Sequence, residues 1–360
     1  MAQPLPATES WQQCTALASD GTARLACFDR WARSQTAPAA SASNAPATPA
    51  SPVPAVAAAP RGPTPIVINL TTDEGCKNRE FSDLSRFWEL EPGSDCGNFG
   101  IRGYRPLSLS VTRADSVNVR PSSPSNMGAP ALAFSKSETR VQLSVRTKIA
   151  KDLLTGANPR LKDSLWFAYT QQSYWQLFNK SLSRPFRSTD HEPEIIYAYP
   201  TEANLPGGWQ LRYTGLGVVH QSNGQSLPLS RSWNRVYLMA GMEKDSRFRV
   251  TGRVWRRIPE AVGSDDNPDI SNFVGRAEVT GSWTPNRDNM VGLTLRHSLK
   301  SDTRGSLRLE WLKTLGNGNS EKDLSGLRLH TQIFSGYGDT LIDYNRRRTV
   351  LSVGLSLVDW

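Results

Sequence analysis

From about Tyr104 onward, apolar and polar side chains alternate with a period of two. Val141, Leu143 and Val145 alternate with Arg140, Gln142, Ser144 and Arg146. Leu307, Leu309 and Trp311 alternate with Ser306, Arg308 and Glu310. Leu351, Val353, Leu355 and Leu357 alternate with Ser352, Gly354 and Ser356. Side chains two apart on a strand share one face, so this pattern demands one apolar and one polar environment. Strands of a soluble sandwich usually run about 5–6 residues. The runs here are about 9–12 residues long, the length a tilted strand needs to cross a bilayer. About twelve strands are predicted, near 104–113, 139–150, 163–173, 193–201, 209–221, 232–241, 247–257, 272–283, 290–299, 304–312, 326–336 and 348–360. An even number of antiparallel strands closes a barrel and removes both sheet edges. The predicted fold is therefore all-β, a twelve-stranded antiparallel transmembrane β-barrel. Its last strand ends on an aromatic residue, Trp360, as outer-membrane barrels do.

The part before the barrel has a different character. Residues 8–34 place Trp11, Leu17, Leu25, Phe28 and Trp31 at roughly helical spacing, which predicts a helical segment over 1–35. Residues 36–64 are almost entirely Ala, Pro, Ser, Thr and Asn, a composition that cannot bury a core and reads as a flexible linker. The barrel then occupies 65–360. The four cysteines fall as two local pairs, Cys14 with Cys27 and Cys76 with Cys96. Local pairing suits two disulfides in an oxidising compartment, with free thiols as the alternative.

The net charge of +9 suits an anionic lipid or lipopolysaccharide surface as well as nucleic acid. Neither zinc-ligand spacing nor basic clusters with interleaved aromatics support nucleic acid. There is no Gly-x-Ser-x-Gly elbow and no βαβ alternation, which excludes the α/β-hydrolase type of lipase.

One segment carries chemistry. His220 and Ser222 share a strand face, a base beside a hydroxyl nucleophile. Gly224 and Pro228 mark a turn, and a hairpin centred on Leu227 sets His220 opposite Asn234. Asn234 is then placed to orient the imidazole. In that register Val218 faces Val236 and Leu216 faces Leu238, all on the face of the candidate site. The other face carries Tyr213, Gly215, Gly217, Arg235 and Tyr237. The site is therefore expected on the apolar outer wall, near a rim. Arg212 and Thr214 share the outward parity and are expected near the opposite interface. A neutral amide suits such a wall, because an ionised Asp facing hydrocarbon is expensive. Asp265-Asp-Asn-Pro-Asp269 lacks the spacing of an EF-hand and reads as an Asx-rich turn. Asp190 and His191 read as part of a solvated rim loop.

Several blocks, in order, resemble the outer-membrane phospholipase A family. They are Tyr169-Thr-Gln-Gln-Ser-Tyr-Trp-Gln-Leu-Phe-Asn179, Pro185-Phe-Arg187, Glu192-Pro193, His220-Gln-Ser-Asn-Gly224 and Ser230-Arg-Ser-Trp-Asn-Arg235. Asp265-Asp-Asn-Pro-Asp269, Ser335-Gly-Tyr-Gly338 and Leu341-Ile-Asp-Tyr344 complete the set. The resemblance covers roughly residues 80–360 and implies a calcium-dependent hydrolase of phospholipid and lysophospholipid acyl esters at both sn positions. It also implies a Gram-negative outer-membrane location, a resting monomer and an active homodimer, with the N-terminal extension periplasmic. By position, Ser222 matches the nucleophile, His220 the base and Asn234 the third member. Calcium ligands match Gln225, Ser230 and, contributed by a partner subunit, Ser183. The family usually has Arg where Gln225 stands, and this position contributes a backbone carbonyl. A second calcium site has one acidic ligand matched by Asp266, but the other falls on Leu227, which offers no carboxylate to a hard cation. That site is expected to be weak or absent. Gln171 matches a polar residue of the dimer interface. The alternative is a catalytically silent barrel with a transport or structural role.

Overall fold

The computed structural model describes residues 11–16, 20–35, 75–127, 130–156, 158–301, 304–316 and 326–357. The predicted linker and Trp360 lie outside the described residues. The chain divides into two units, Met1–Pro65 and Ile66–Trp360.

In the first unit the helical segment expected over 8–34 forms two helices, α1 (Trp11–Thr15) and α2 (Gly21–Gln35). The break has a local cause. Asp20 Oδ1 accepts the amide protons of Thr22 and Ala23, both at 3.0 Å, and so starts a new helix. The Cys14–Cys27 disulfide staples the two helices together.

The second unit contains a short strand, β1 (Ile101–Gly103), and twelve barrel strands. These are β2 (Leu107–Ala114), β3 (Ser137–Lys151), β4 (Ser164–Trp175), β5 (Phe186–Leu205), β6 (Trp209–Ser222) and β7 (Ser232–Lys244). They continue as β8 (Phe248–Ile258), β9 (Ala277–Asn286), β10 (Asn289–His297), β11 (Gly305–Thr314), β12 (Leu327–Gly336) and β13 (Arg348–Leu357). Each pairs antiparallel with its sequence neighbours, and β13 pairs with β2, which closes the barrel. The expected architecture is thus the observed one. Differences are local. β5 runs well beyond 193–201. β9 begins at Ala277 rather than near 272, because Ile270–Asn272 forms a 3-10 turn ahead of it.

Alternation sorts the side chains as a bilayer-spanning wall requires. Leu109, Val111, Leu216, Val218, Leu238, Val254, Leu309, Leu351 and Val353 are all exposed on the outside. The inside is filled with paired charge. Arg105 reaches Glu192 at 2.7 Å and Glu194 at 3.5 Å, and Arg253 meets Glu194 at 3.4 Å. Arg140 and Arg348 both lie 3.0 Å from Asp339, and Arg187 bridges Glu138 and Asp343 at 2.5 and 3.0 Å. Buried charges persist where they are paired in this way. The lumen retains a cavity of about 300 Å³, lined among others by Arg140, Gln142, Glu310 and His330.

A short helix, α3 (Asp83–Trp88), packs Leu84 and Trp88 against the inward-facing Trp166, Tyr213 and Tyr237. The Cys76–Cys96 disulfide closes the segment that carries it. Arg212 departs from its expected place. A β-bulge between Leu211 and Tyr213 removes it from the outward row, and its guanidinium instead reaches Glu91 at 2.5 Å and Glu243 at 3.1 Å.

Candidate active site

The site is built on the β6–β7 hairpin. The register sets His220 opposite Asn234, Val218 opposite Val236 and Leu216 opposite Leu238. The loop that fixes this register, residues 223–231, is held from within. Buried Asn223 accepts the Arg231 amide proton on Oδ1 at 2.9 Å, and its Nδ2 donates to the Leu229 carbonyl at 2.9 Å. The Arg231 guanidinium, fully buried, donates to the carbonyls of Pro228 and Ser230 at 3.1 and 2.6 Å. The β8–β9 loop docks on the hairpin through Asn267, whose Oδ1 accepts the Ser232 amide at 2.9 Å.

On the outer wall His220 Nδ1 lies 2.8 Å from Asn234 Oδ1. An amide oxygen only accepts, so Nδ1 carries the proton and Nε2 is left free to act as base. Ser222 stands two residues along the same strand face. Among the described residues no hydrogen bond joins its hydroxyl to His220. Such bonds commonly tighten only when substrate enters.

The Asn234 amide has a second partner. Its Nδ2 donates to Glu260 Oε1 at 3.0 Å. Glu260 follows the end of β8, where Ile258 is paired with Asn234. It was not singled out from sequence. Nor was the place of His191, which stands on β5 directly opposite Ser222, with Nδ1 2.7 Å from the Tyr169 hydroxyl. Asp190 and His191 are therefore strand residues and not a solvated loop. Asp190 is buried and accepts the Leu341 amide at 2.8 Å.

The remaining candidates are distributed around this centre. Ser230 and Asp266 come together, the serine hydroxyl donating to the carboxylate. The Asp266 carbonyl also accepts from Ser123 at 2.5 Å and Asn126 at 3.3 Å. Gln225 lies in the same loop as Ser230, its amide 3.4 Å from Asn223 Oδ1. Leu227 is exposed at the loop tip. Ser183 sits in the β4–β5 connection, where its carbonyl accepts the Trp175 indole proton at 2.6 Å. Gln171 on β4 pairs with His191 in the ladder and accepts from the Tyr169 hydroxyl at 3.1 Å. Asp265 and Asp269 are engaged structurally, Asp265 by Arg257 at 2.6 Å and Asp269 by the Tyr344 hydroxyl.

Comparison with known proteins bears on the family and the fold. A protein of Neisseria meningitidis serogroup B that carries the provisional name phospholipase A1 is 34% identical over 365 residues, covering 98% of this chain and 91% of the relative. Phospholipase A1 of Escherichia coli K12 is 36% identical over 229 residues, 62% of this chain and 71% of that protein. The solved outer membrane phospholipase A of Escherichia coli superposes with a TM-score of 0.60 at 29% identity, covering 72% of this chain and 98% of that one. The Salmonella typhi outer membrane phospholipase dimer with bound calcium gives a TM-score of 0.61 at 29% identity, covering 72% and 93%. The phospholipase A1 family model matches residues 84–357. With its strand-built His220–Asn234 pair beside Ser222 and this match over most of its length, the chain belongs to the phospholipase A1 family of enzymes.

Proposed function

We propose that the chain hydrolyses the sn-1 and sn-2 acyl esters of phospholipids and lysophospholipids in the Gram-negative outer membrane, with Ser222, His220 and Asn234 as its catalytic triad. The observation that carries this reading is the 2.8 Å contact between His220 and Asn234 on the lipid-facing wall, with Ser222 on the same face. Ser222 Oγ attacks the acyl carbonyl carbon while His220 Nε2 takes its proton. His220 returns that proton to the leaving alcohol, and water, activated in the same way, releases the fatty acid. Asn234 holds the imidazole in the tautomer that leaves Nε2 unprotonated.

Calcium is the cofactor this reading calls for. Ser230 and Asp266 meet in a pair of oxygen donors beside the catalytic hairpin, chemistry suited to a hard cation. Ser230, the Gln225 carbonyl and Ser183 of a second copy would hold the ion, and Asp266 stands beside them. When bound, calcium supplies positive charge toward the oxyanion of the tetrahedral intermediate. Leu227 brings no side-chain oxygen, which argues against a second complete site. The need for Ser183 from a second copy makes the active form a homodimer and the monomer a resting form, with Gln171 at the interface. The two longest connections, 115–136 and 259–276, lie at the end of the barrel that holds the site. Outer-membrane barrels place longer loops outside the cell, which supports a periplasmic side for the extension before the barrel.

The lumen argues against a transport role, because paired charges and α3 occupy it. The test is fatty-acid release from phospholipid micelles by the detergent-refolded protein, with calcium and with EDTA, alongside Ser222→Ala. Activity that requires both calcium and Ser222 is expected. Equal rates in the two proteins, or none from a folded barrel, would overturn the proposal.

A further inference from the structure

We infer that Glu260 is a positioning residue for the hydrolytic reaction, a carboxylate that orients and polarises the Asn234 amide behind His220. The inference rests on the Ser222–His220–Asn234 reading and extends it by one member.

The geometry is a relay across three adjacent strands. His220 on β6 faces Asn234 on β7, and Asn234 faces Ile258 at the end of β8. Pro259 ends the ladder, since it has no amide proton to donate. Glu260, two residues beyond Ile258, returns to the outward parity and meets Asn234 on the diagonal. The distances are 2.8 Å from His220 Nδ1 to Asn234 Oδ1 and 3.0 Å from Asn234 Nδ2 to Glu260 Oε1.

An asparagine alone is an ambiguous third member. Its amide presents a donor and an acceptor of nearly equal size, and a half-turn about its terminal bond exchanges them. With Nδ2 toward His220, the imidazole tautomer would reverse and Nε2 would carry the proton, which removes the base. A carboxylate accepts hydrogen bonds and does not donate them when ionised, so Glu260 selects the orientation with Oδ1 toward His220. It also supplies the negative charge that Asn234 lacks, one residue removed from the imidazolium that forms when Ser222 is deprotonated.

The charges around Glu260 are few and identifiable. Burial raises its pKa, Asp265 and Asp266 add to this, and Arg257 and the Asn234 amide oppose it. Arg257 is committed to Asp265 by two contacts, at 2.6 and 2.7 Å.

The experiment compares Glu260→Ala, Glu260→Gln, Asn234→Ala and the Glu260→Ala/Asn234→Ala double variant. Each is refolded in detergent with calcium, and kcat, KM and the pH profile of kcat/KM are measured on phospholipid micelles. Glu260→Ala is expected to lower kcat about tenfold with KM unchanged, the rate equivalent of one charge-assisted hydrogen bond. Glu260→Gln retains an acceptor for Asn234 but neither the charge nor the one-way selection, and should recover only part of that loss. In both variants the acidic limb of kcat/KM, set by His220, should move down by about half a pH unit, because the carboxylate no longer favours the imidazolium. Adding Glu260→Ala to Asn234→Ala should change little, because the relay is already cut. The inference is overturned if Glu260→Ala keeps wild-type kcat and acidic limb while Asn234→Ala is slow, or if the two losses simply multiply. Should Glu260→Ala fail to fold, an unmoved limb in Glu260→Gln overturns it equally. A fast Asn234→Ala enzyme would instead sink the triad reading underneath.

Discussion

Asn234→Ala tests the energetic logic of a neutral third member. The Nδ1–Oδ1 contact of 2.8 Å is a neutral hydrogen bond while His220 is unprotonated. In the transition state the ring becomes imidazolium and the same bond becomes charge-assisted, roughly doubling in strength. The differential term, together with loss of tautomer and ring orientation, comes to about 2–3 kcal/mol, or about 30- to 150-fold in kcat. Removing the charge of an aspartate in a carboxylate triad costs about 10⁴-fold, so the loss here should be clearly smaller. KM should hold, because Asn234 contacts His220 and Glu260 and lies behind the imidazole. Steady-state hydrolysis of a chromogenic phospholipid in calcium-containing micelles measures both constants, and heat-modifiable electrophoretic mobility confirms the folded fraction. A loss under about threefold, or one as complete as that of Ser222→Ala, would refute the reasoning.

Two further predictions concern the scaffold. Asp163, fully buried ahead of β4, is pushed up by burial, but hydrogen bonds from Thr155, Tyr197 and the Thr155 and Leu154 amides outweigh this and hold its pKa at about 2, against an ordinary 3.8. A depressed carboxylate contributes stability above its unfolded pKa and loses it as pH falls through the folded one. Thermal unfolding in detergent should therefore show about 2 kcal/mol lost between pH 4 and 2, and Asp163→Asn should flatten that slope; an unchanged slope would refute the assignment. Gly217 lies against the Tyr237 ring with no room for a Cβ, and Tyr237 donates to buried Glu194 at 2.8 Å. Gly217→Ala should destabilise the barrel by about 1–3 kcal/mol, read as earlier loss of the heat-resistant electrophoretic form; a wild-type transition would refute it.

The pairing of His220 with Asn234, and Ser222 on their face, was legible because two short-range rules suffice for it. Period two places His220 and Ser222 on one face, and the turn residues between Gly224 and Pro228 set the register to Asn234. Glu260 required the register of the next hairpin, which depends on the turn 245–247. Asp245 and Ser246 both have positive φ there, as in a two-residue hairpin turn, yet the loop spans three residues and Lys244 pairs with Phe248. A slip of one residue would turn Glu260 to the lumen. His191 was hidden because the predicted strand starts at Pro193, whereas β5 continues through that proline from Phe186. Arg212 escaped its parity through a bulge, and α3 is too short to show a helical period. In each case a long-range partner, not local propensity, decides the outcome.

The position of the proposed site, His220, Ser222 and Asn234, on the outer wall changes what concentration means for this enzyme. A site that opens into an internal cleft responds to molecules per unit volume. One set in the wall meets its substrate by lateral diffusion in two dimensions, and responds to molecules per unit area. Its saturation constant is then a mole fraction. Diluting the whole suspension leaves the rate per molecule unchanged, whereas diluting the phospholipid with an inert amphiphile slows it. For such an enzyme the composition of the surrounding leaflet is itself the regulator.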